Sequence, residues 1–412
     1  VTAGVSSSAR RVEGDPFAAY LMGFLTVGLA VSFLGPGLLH LQADAGVSVQ
    51  AISILFSAQA LGYLFGSLLA APGIDRQWGN RLLAVALVAL AVVVATVPLI
   101  SSLWPLAIVF CLIGTGAGAI DLASNTLLVW SRGDGVGPSM NALHFAFGVG
   151  AVSAPLLVEF SLSSTDGLGI ACLTTAAIAL AAAGWVLTRH TPKMASHPDH
   201  APEADSSSGR RTTSRRLAVI AGFFVLYVGL EMGAGGWLFA YAEARHLGGP
   251  RFAALLTTAF WGSFTFGRLV AVGLSRRFRP GPILVGSAAL AIGASVGLAV
   301  SGSRATATLV ATVALGLALA PQYPTMMTVA GQHLHLTGRA TSWFIGASAA
   351  GGLVLPWFIG QLFGGIGAAT MPVVVLITAV ATLGWIIVIL RMLTATPFIS
   401  PDEEPTIGSA IL

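Results

Sequence analysis

The chain has 412 residues, of which 55% are hydrophobic and only 9% charged, with a mean hydropathy of +0.86. So few polar side chains cannot coat a water-soluble globule of this size, which excludes a soluble enzyme or a soluble binding module and leaves a polytopic membrane protein. The formal net charge of +4 must therefore be read against a membrane.

In chain order, apolar runs long enough to cross a hydrocarbon core of about 30 Å, which takes about 20 helical residues, predict spans at 17–42, 48–72, 82–101, 104–131, 139–162, 167–188, 216–244, 252–275, 282–302, 305–331, 340–363 and 368–393. The runs are continuous Ala, Leu, Val, Gly and Ile. Short segments of alternating polarity would suit a barrel; these suit an all-α membrane protein of twelve transmembrane helices. Segment 1–16 reads as a cytoplasmic tail without the apolar core of a signal peptide, and it opens on Val1, as a trimmed sequence would. A first bundle is expected over 17–188, a second over 216–394, and a C-terminal tail over 395–412. Between the bundles, 189–215 is rich in His, Pro, Ser and charge and reads as a cytoplasmic linker. His190, His197 and His200 fall there at irregular spacing, so a solvated linker is expected rather than a metal site.

Orientation follows from the basic residues. With the N-terminus in the cytoplasm, Arg10, Arg11, Arg76, Arg81, Arg132, Arg189, Lys193, Arg210, Arg211, Arg215, Arg216, Arg276, Arg277, Arg279, Arg339 and Arg391 lie inside, against Arg245, Arg251 and Arg304 outside. Both termini are then cytoplasmic, in a bacterial inner or plasma membrane. Topology accounts for the positive charge, so no nucleic-acid partner is expected. Cys111 and Cys172 fall inside spans and read as small packing residues.

The chain also repeats itself. A shift of 201 positions lays Val27-Gly28-Leu29 on Val228-Gly229-Leu230, Gly35 on Gly236, Gly66 on Gly267, Arg76 on Arg277, Gly150 on Gly351 and Pro155 on Pro356. Six spans per copy put both copies in the membrane the same way round. They are then two pseudo-symmetric six-helix halves about an axis along the membrane normal, a pairing typical of alternating-access carriers.

Candidate functional residues are the polar groups at midplane depth. A carboxylate there costs about 2.5–3.5 kcal/mol on insertion scales, so Asp121 and Glu231 should face protein or water and do work. Asn125 is four residues beyond Asp121 and shares its helical face, offering an amide and a carboxylate to one cavity; the alternative is a pair that locks packing. Glu231 is followed by Gly233, Gly235 and Gly236, which predict a weakened helix whose carbonyls could hold a cation or ligand. Trp237 beside it offers a plate for a sugar ring, or simply packs against a neighbour. Asn141 and His144 face roughly the same way on the fifth span, where His144 is a hydrogen-bonding or relay group or a satisfied core residue. Gln322 and Tyr323, between Pro321 and Pro324, should interrupt the tenth span beside a cavity. Gln59 is a lesser candidate, and Arg268 either reaches an intramembrane acid or snorkels to the cytoplasmic face.

These residues carry a family resemblance. Gly73-Ile-Asp75-Arg76-Gln-Trp-Gly79-Asn-Arg81 resembles the cytoplasmic signature of the major facilitator superfamily with one residue inserted, and Gly267-Arg268 followed by Ser275-Arg276-Arg277 is its weaker echo. An acid beside basic residues there could form ion pairs that hold the halves in one state and release them in the other, making Asp75, Arg76, Arg81, Arg276 and Arg277 gating candidates; the alternative is that the arginines only anchor topology. Ala119-Ile-Asp121-Leu-Ala123-Ser-Asn125 resembles the fourth helix of fucose permeases. Asn141-Ala-Leu-His144-Phe-Ala-Phe147-Gly148-Val-Gly150-Ala151 through Pro155 is similar to the fifth helix of the sodium-dependent glucose transporters. Tyr227-Val-Gly229-Leu-Glu231 through Trp237 resembles their seventh, and Leu34-Gly35-Pro36-Gly37-Leu38-Leu39 their first. Fucose permeases carry an acid in the first helix and Ser32 to Gly37 has none, so their proton coupling does not transfer whole.

No phosphate-cradling Gly-x-x-x-x-Gly-Lys sequence or catalytic set stands out, so neither ATP nor an enzymatic reaction is expected. The expected function is secondary active transport of a small polar solute, foremost a hexose, as a proton-coupled symporter able to act as a monomer. Sodium coupling, and a drug or lipid exporter of the same fold, are the alternatives. No cofactor is expected beyond the coupling ion, H+ or Na+.

Overall fold

The computed structural model describes residues 15–76, 78–133, 136–192, 207–333 and 338–394. Among the described residues there is no strand. The helices are α1 (Phe17–Ser32), α2 (Leu34–Asp44), α3 (Val49–Ile52), α4 (Ile54–Asp75), α5 (Gly79–Thr96), α6 (Leu103–Arg132), α7 (Val136–Thr165), α8 (Gly169–Leu187), α9 (Ser207–Ala244), α10 (Gly249–Ser275), α11 (Pro280–Val300), α12 (Ala305–Leu319), α13 (Gln322–His333), α14 (Gly338–Gly365) and α15 (Thr370–Thr394). Eleven candidate spans result, or twelve with α1 and α2 taken as one bent crossing. The exterior exposes Leu69, Val85, Ile108, Phe266 and Ile377, a surface suited to hydrocarbon.

Breaks fall where the sequence weakens a helix. Pro36 has no N–H to give Ser32 and crowds its carbonyl, and the first crossing bends by 44° between α1 and α2. Ser48 caps α3 by accepting from Ala51 N at 3.2 Å. Pro321 separates α12 from α13 as the two flanking prolines predict. Two expectations change. The linker 189–215 is not uniformly irregular: α9 starts at Ser207, because a helix already nucleated in the membrane propagates cheaply into its polar flank. Nor do Gly233, Gly235 and Gly236 open the seventh span, since α9 runs through them unbroken.

Those glycines serve close packing instead. Apolar side chains gain little by leaving lipid for a protein neighbour, so membrane helices associate where small residues let backbones touch. On α4, Gly62 and Gly66 press on the carbonyls of Cys111 and Thr115; on α6, Gly114 and Gly118 press on those of Gln59 and Tyr63. The pattern recurs through the repeat. Gly28 and Gly150 bring α1 against α7, and their counterparts Gly229 and Gly351 bring α9 against α14. Gly35 and Gly236, equivalent to each other under the 201-residue shift, lie directly against one another, as residues beside a pseudo-twofold axis must.

A valine at Gly62 or Gly118 should cost at least about 3 kcal/mol, the top of the usual overpacking range, because the added atoms meet backbone rather than a yielding side chain. Valine at Gly286, which has open space around it, should be tolerated. Melting of the detergent-solubilised variants, followed by size-exclusion fluorescence, checks both.

Candidate functional site

The halves enclose a cavity of about 320 Å³ at their seam. Its first-half wall comes from α1, α2, α4, α6 and α7, and its second-half wall from α9, α10, α13 and α14. The α4–α6 glycine crossing sets its chemistry. Asp121 follows Gly118 by one turn, and Gly118 rests on the carbonyl of Tyr63, so the Asp121 carboxylate and the Tyr63 hydroxyl face one another across that contact. Asn125, one turn further on, donates from Nδ2 to Asp121 Oδ1 at 3.0 Å and to the Asp121 carbonyl at 2.9 Å. Asp121 and Tyr63 line the cavity, whereas Asn125 stands behind the acid and holds it. Gln59, Tyr63 and Ser67 recur at four-residue spacing on α4 and all line the cavity, a polar stripe in an otherwise apolar span.

Glu231 sits outside the lining, buried at 6% exposure. The Tyr227 hydroxyl faces it while donating to the Leu319 carbonyl at 3.1 Å, and Arg268 is close enough for its charge to act on the acid without a contact ion pair. Arg268 also lies over the Phe264 ring at 4.7 Å. Tyr323 lines the cavity and lies within electrostatic range of both Asp121 and Glu231.

Other expected positions lie elsewhere. Trp237 is no cavity plate: its indole is fully buried, donates from Nε1 to the Pro356 carbonyl at 2.8 Å and packs on Phe56 and Phe363. The indole on the cavity wall is that of Trp261, wedged against Phe260 and Phe264. His144 meets Phe24 edge-on at 5.5 Å, away from the lining, and Asn141 is exposed. Gln322 is buried behind Tyr323, with Nε2 given to the Ala318 carbonyl at 3.1 Å and Oε1 left without a partner. Sequence reading missed Tyr63, Ser348 and Trp261. The four-residue stripe from Gln59 pointed to Tyr63, and the 201-residue shift joins Trp261 to Ala60 and Ser348 to Phe147, all of which line the cavity.

The halves meet at the end of the bundle opposite the chain termini. Gln361 on α14 donates from Nε2 to the Gln50 carbonyl at 3.0 Å and to Ser53 Oγ at 3.1 Å. Ser57 Oγ donates to the Leu353 carbonyl at 2.8 Å, Thr258 Oγ1 to the Val152 carbonyl at 3.2 Å, and Arg251 pairs with Glu159 at 3.5 Å. Gly360 and Gly364 on α14 accept Ser53 and Gln50 at close range. Towards the terminus-bearing end the cavity reaches Ser67 and Ile345. Arg76, Arg81, Arg276 and Arg277 are exposed at that end, and among the described residues none of them makes an ion pair; the Asp75 side chain lies outside the described residues.

A duplicated helical bundle closed at one end around a seam cavity, with an acid in its wall, defines a membrane transporter. The chain belongs to the Major Facilitator Superfamily, whose model matches residues 20–356. It is similar to sodium-dependent glucose transporter 1A of Mus musculus, at 26% identity over 83% of this chain and 88% of that one. It is also similar to major facilitator superfamily domain-containing protein 4A of Pongo abelii, at 23% identity over 98% of both chains. Among solved structures, the xylose transporter XylE from E. coli in a partially occluded inward open conformation matches with a TM-score of 0.69, at 12% identity over 92% of this chain and 98% of that one. The nucleoside transporter NupG matches at 0.68, with 14% identity over 92% and 99%. The expected resemblance to the superfamily and its glucose-transporter group is thereby borne out by the family model and by a relative and solved structures named as transporters.

Cysteines at Ser53 and Gln361, in a background without Cys111 and Cys172, should be joined by a short reagent that is thiol-reactive at both ends, such as a bis-methanethiosulfonate. With a protease site inserted in segment 193–206, the two halves should then remain one band after cleavage on a non-reducing gel. Full separation would mean that this end is not closed.

Proposed function

We propose that the chain is a secondary active transporter that carries a monosaccharide across an inner or plasma membrane by alternating access, as a proton-coupled symporter acting as a single polypeptide. The observation that carries this reading is the seam cavity with Asp121 in its wall. At about 320 Å³ it lies at the lower end of the range of about 300–1,000 Å³ usual for small-molecule sites. Apolar surface from Val31, Phe56 and Phe147, interrupted by Gln59, Tyr63, Tyr323 and Ser348, matches a solute with C–H faces and a rim of hydroxyls.

Asp121 is the coupling acid in this reading, and Glu231, with Arg268 and Tyr227 beside it, links the charge state of the seam to the second half. An amide and a phenol around Asp121 suit a group that takes up and releases a proton. With the basic residues on the cytoplasmic side, the closed end faces outward and the cavity serves the cytoplasm. In the opposite state Asp75, Arg76, Arg81, Arg276 and Arg277 would draw together and close the inner end. A second reading, sodium coupling, is favoured by the relatives named as sodium-dependent glucose transporters.

Proteoliposome uptake of radiolabelled sugars, with proton and sodium gradients imposed separately, tests both. One coupled charge gains about 2.3 kcal/mol per 100 mV, enough for roughly fiftyfold accumulation of a neutral sugar at that potential. Asp121→Asn and Glu231→Gln should abolish gradient-driven accumulation. Full accumulation by both variants would remove these acids from the mechanism, and transport of apolar amphiphiles with no sugar uptake would replace the carrier reading by an exporter.

A further inference from the structure

The internal repeat supplies its own comparison at the cavity wall. Val31 and Met232, Ala60 and Trp261, Leu122 and Tyr323, and Phe147 and Ser348 are four pairs of equivalent positions, and all eight residues line the cavity. Each pair occupies the same place in a duplicated unit, so whatever differs within a pair is not a requirement of the fold. The first half fills these places with Val, Ala, Leu and Phe, none of which hydrogen-bonds through its side chain. The second half places two hydroxyls and an indole there. The acid is distributed the other way: Asp121 lines the cavity, while its equivalent, Gln322, is buried behind Tyr323 and bonded to its own helix.

Ser348 stands out within the second-half set. Serines and threonines in these helices commonly hand their hydrogen to a carbonyl one turn earlier, as Ser153, Ser295 and Thr378 do. Ser348 does not: its Oγ is buried without a hydrogen-bond partner although the residue lies on the cavity wall. The Tyr323 hydroxyl faces it from α13, yet the two close no hydrogen bond of normal geometry. A buried hydroxyl in that condition is costly unless a ligand or water completes it. Two facing hydroxyls supply a donor and an acceptor together, the combination one sugar hydroxyl requires. Gly352, one turn beyond Ser348, keeps that stretch of α14 open to the first half, where its neighbour is Ala60.

We propose that Ser348, backed by Tyr323, is a specificity-determining residue of the cavity and binds a single hydroxyl of the carried sugar. This rests on the monosaccharide reading above. A role for Ser348 does not follow from the coupling chemistry itself.

The test is uptake kinetics in proteoliposomes for wild type, Ser348→Ala and Ser348→Thr, using the hexose that wild type transports best and its complete set of monodeoxy analogues. Ser348→Ala should raise KM for the parent sugar about three- to tenfold, the range of one net hydrogen bond, with little change in maximal rate. One analogue, lacking the hydroxyl that Ser348 binds, should have the same KM in wild type and Ser348→Ala. Ser348→Thr, which keeps a hydroxyl, should stay near wild type. An equal rise across the parent and every analogue would make Ser348 a packing residue and overturn the proposal, as would no change for any sugar. A folded wild-type protein that takes up no hexose in the same vesicles would instead sink the monosaccharide reading, a result visible before any variant is compared.

Discussion

Contact between helix backbones at glycine is the constraint on which the remaining structure depends. In lipid the hydrophobic effect does not press one helix on another, so position is set where small residues allow carbonyls and Cα atoms to touch. The crossing of Gly62 and Gly66 with Gly114 and Gly118 fixes α4 on α6 and, one turn on, presents Asp121 to Tyr63. Gly28 with Gly150 and Gly229 with Gly351 set the equivalent crossings in the two halves. Gly35 against Gly236 then brings the halves together near the pseudo-twofold axis. A charge near the middle of the bilayer is tolerable only because this frame leaves a polar seam for it to face.

The closed end is of a different kind. It relies on neutral contacts such as Gln361 with Gln50 and Ser53, on side chains seated over Gly360 and Gly364, and on one ion pair, Arg251 with Glu159, whose arginine is largely exposed. Exposed ion pairs contribute at most about 1 kcal/mol, and neutral hydrogen bonds about 0.5–1.5 kcal/mol net. A seal assembled from such terms can be exchanged for a comparable one at the other end, which is the energetic requirement for an alternating mechanism.

Much of the architecture was legible in the sequence, because membrane insertion imposes long apolar helices and the repeat exposes the duplication. The spans agree with the helices to within a few residues, except at 216, where α9 starts at Ser207. The break at Pro321 was legible because proline acts locally, whereas the bend at Pro36 lay inside what read as one apolar run over 17–42. The site was less so. Asp121, Gln59 and Tyr323 reach the cavity, but Gly233, Gly235 and Gly236 mark contact rather than a helix break, and Trp237 packs outside the cavity where Trp261 forms its wall. Sequence periodicity tells which residues share a face of one helix. Which face meets the seam is decided by crossings between helices distant in sequence, and only the repeat register carries a trace of that.

The central claim is that the two halves rock about a fixed seam cavity. It is tested most directly by pulsed electron–electron distance measurements on two spin-labelled pairs in nanodiscs, Trp78→Cys with Phe278→Cys at the terminus-bearing end and Ala43→Cys with Ala369→Cys at the opposite end. Addition of the transported sugar and the coupling ion should shift the two distance distributions reciprocally, the first pair closing as the second opens. Distances that stay fixed at both ends, or that move in the same direction, would contradict the account.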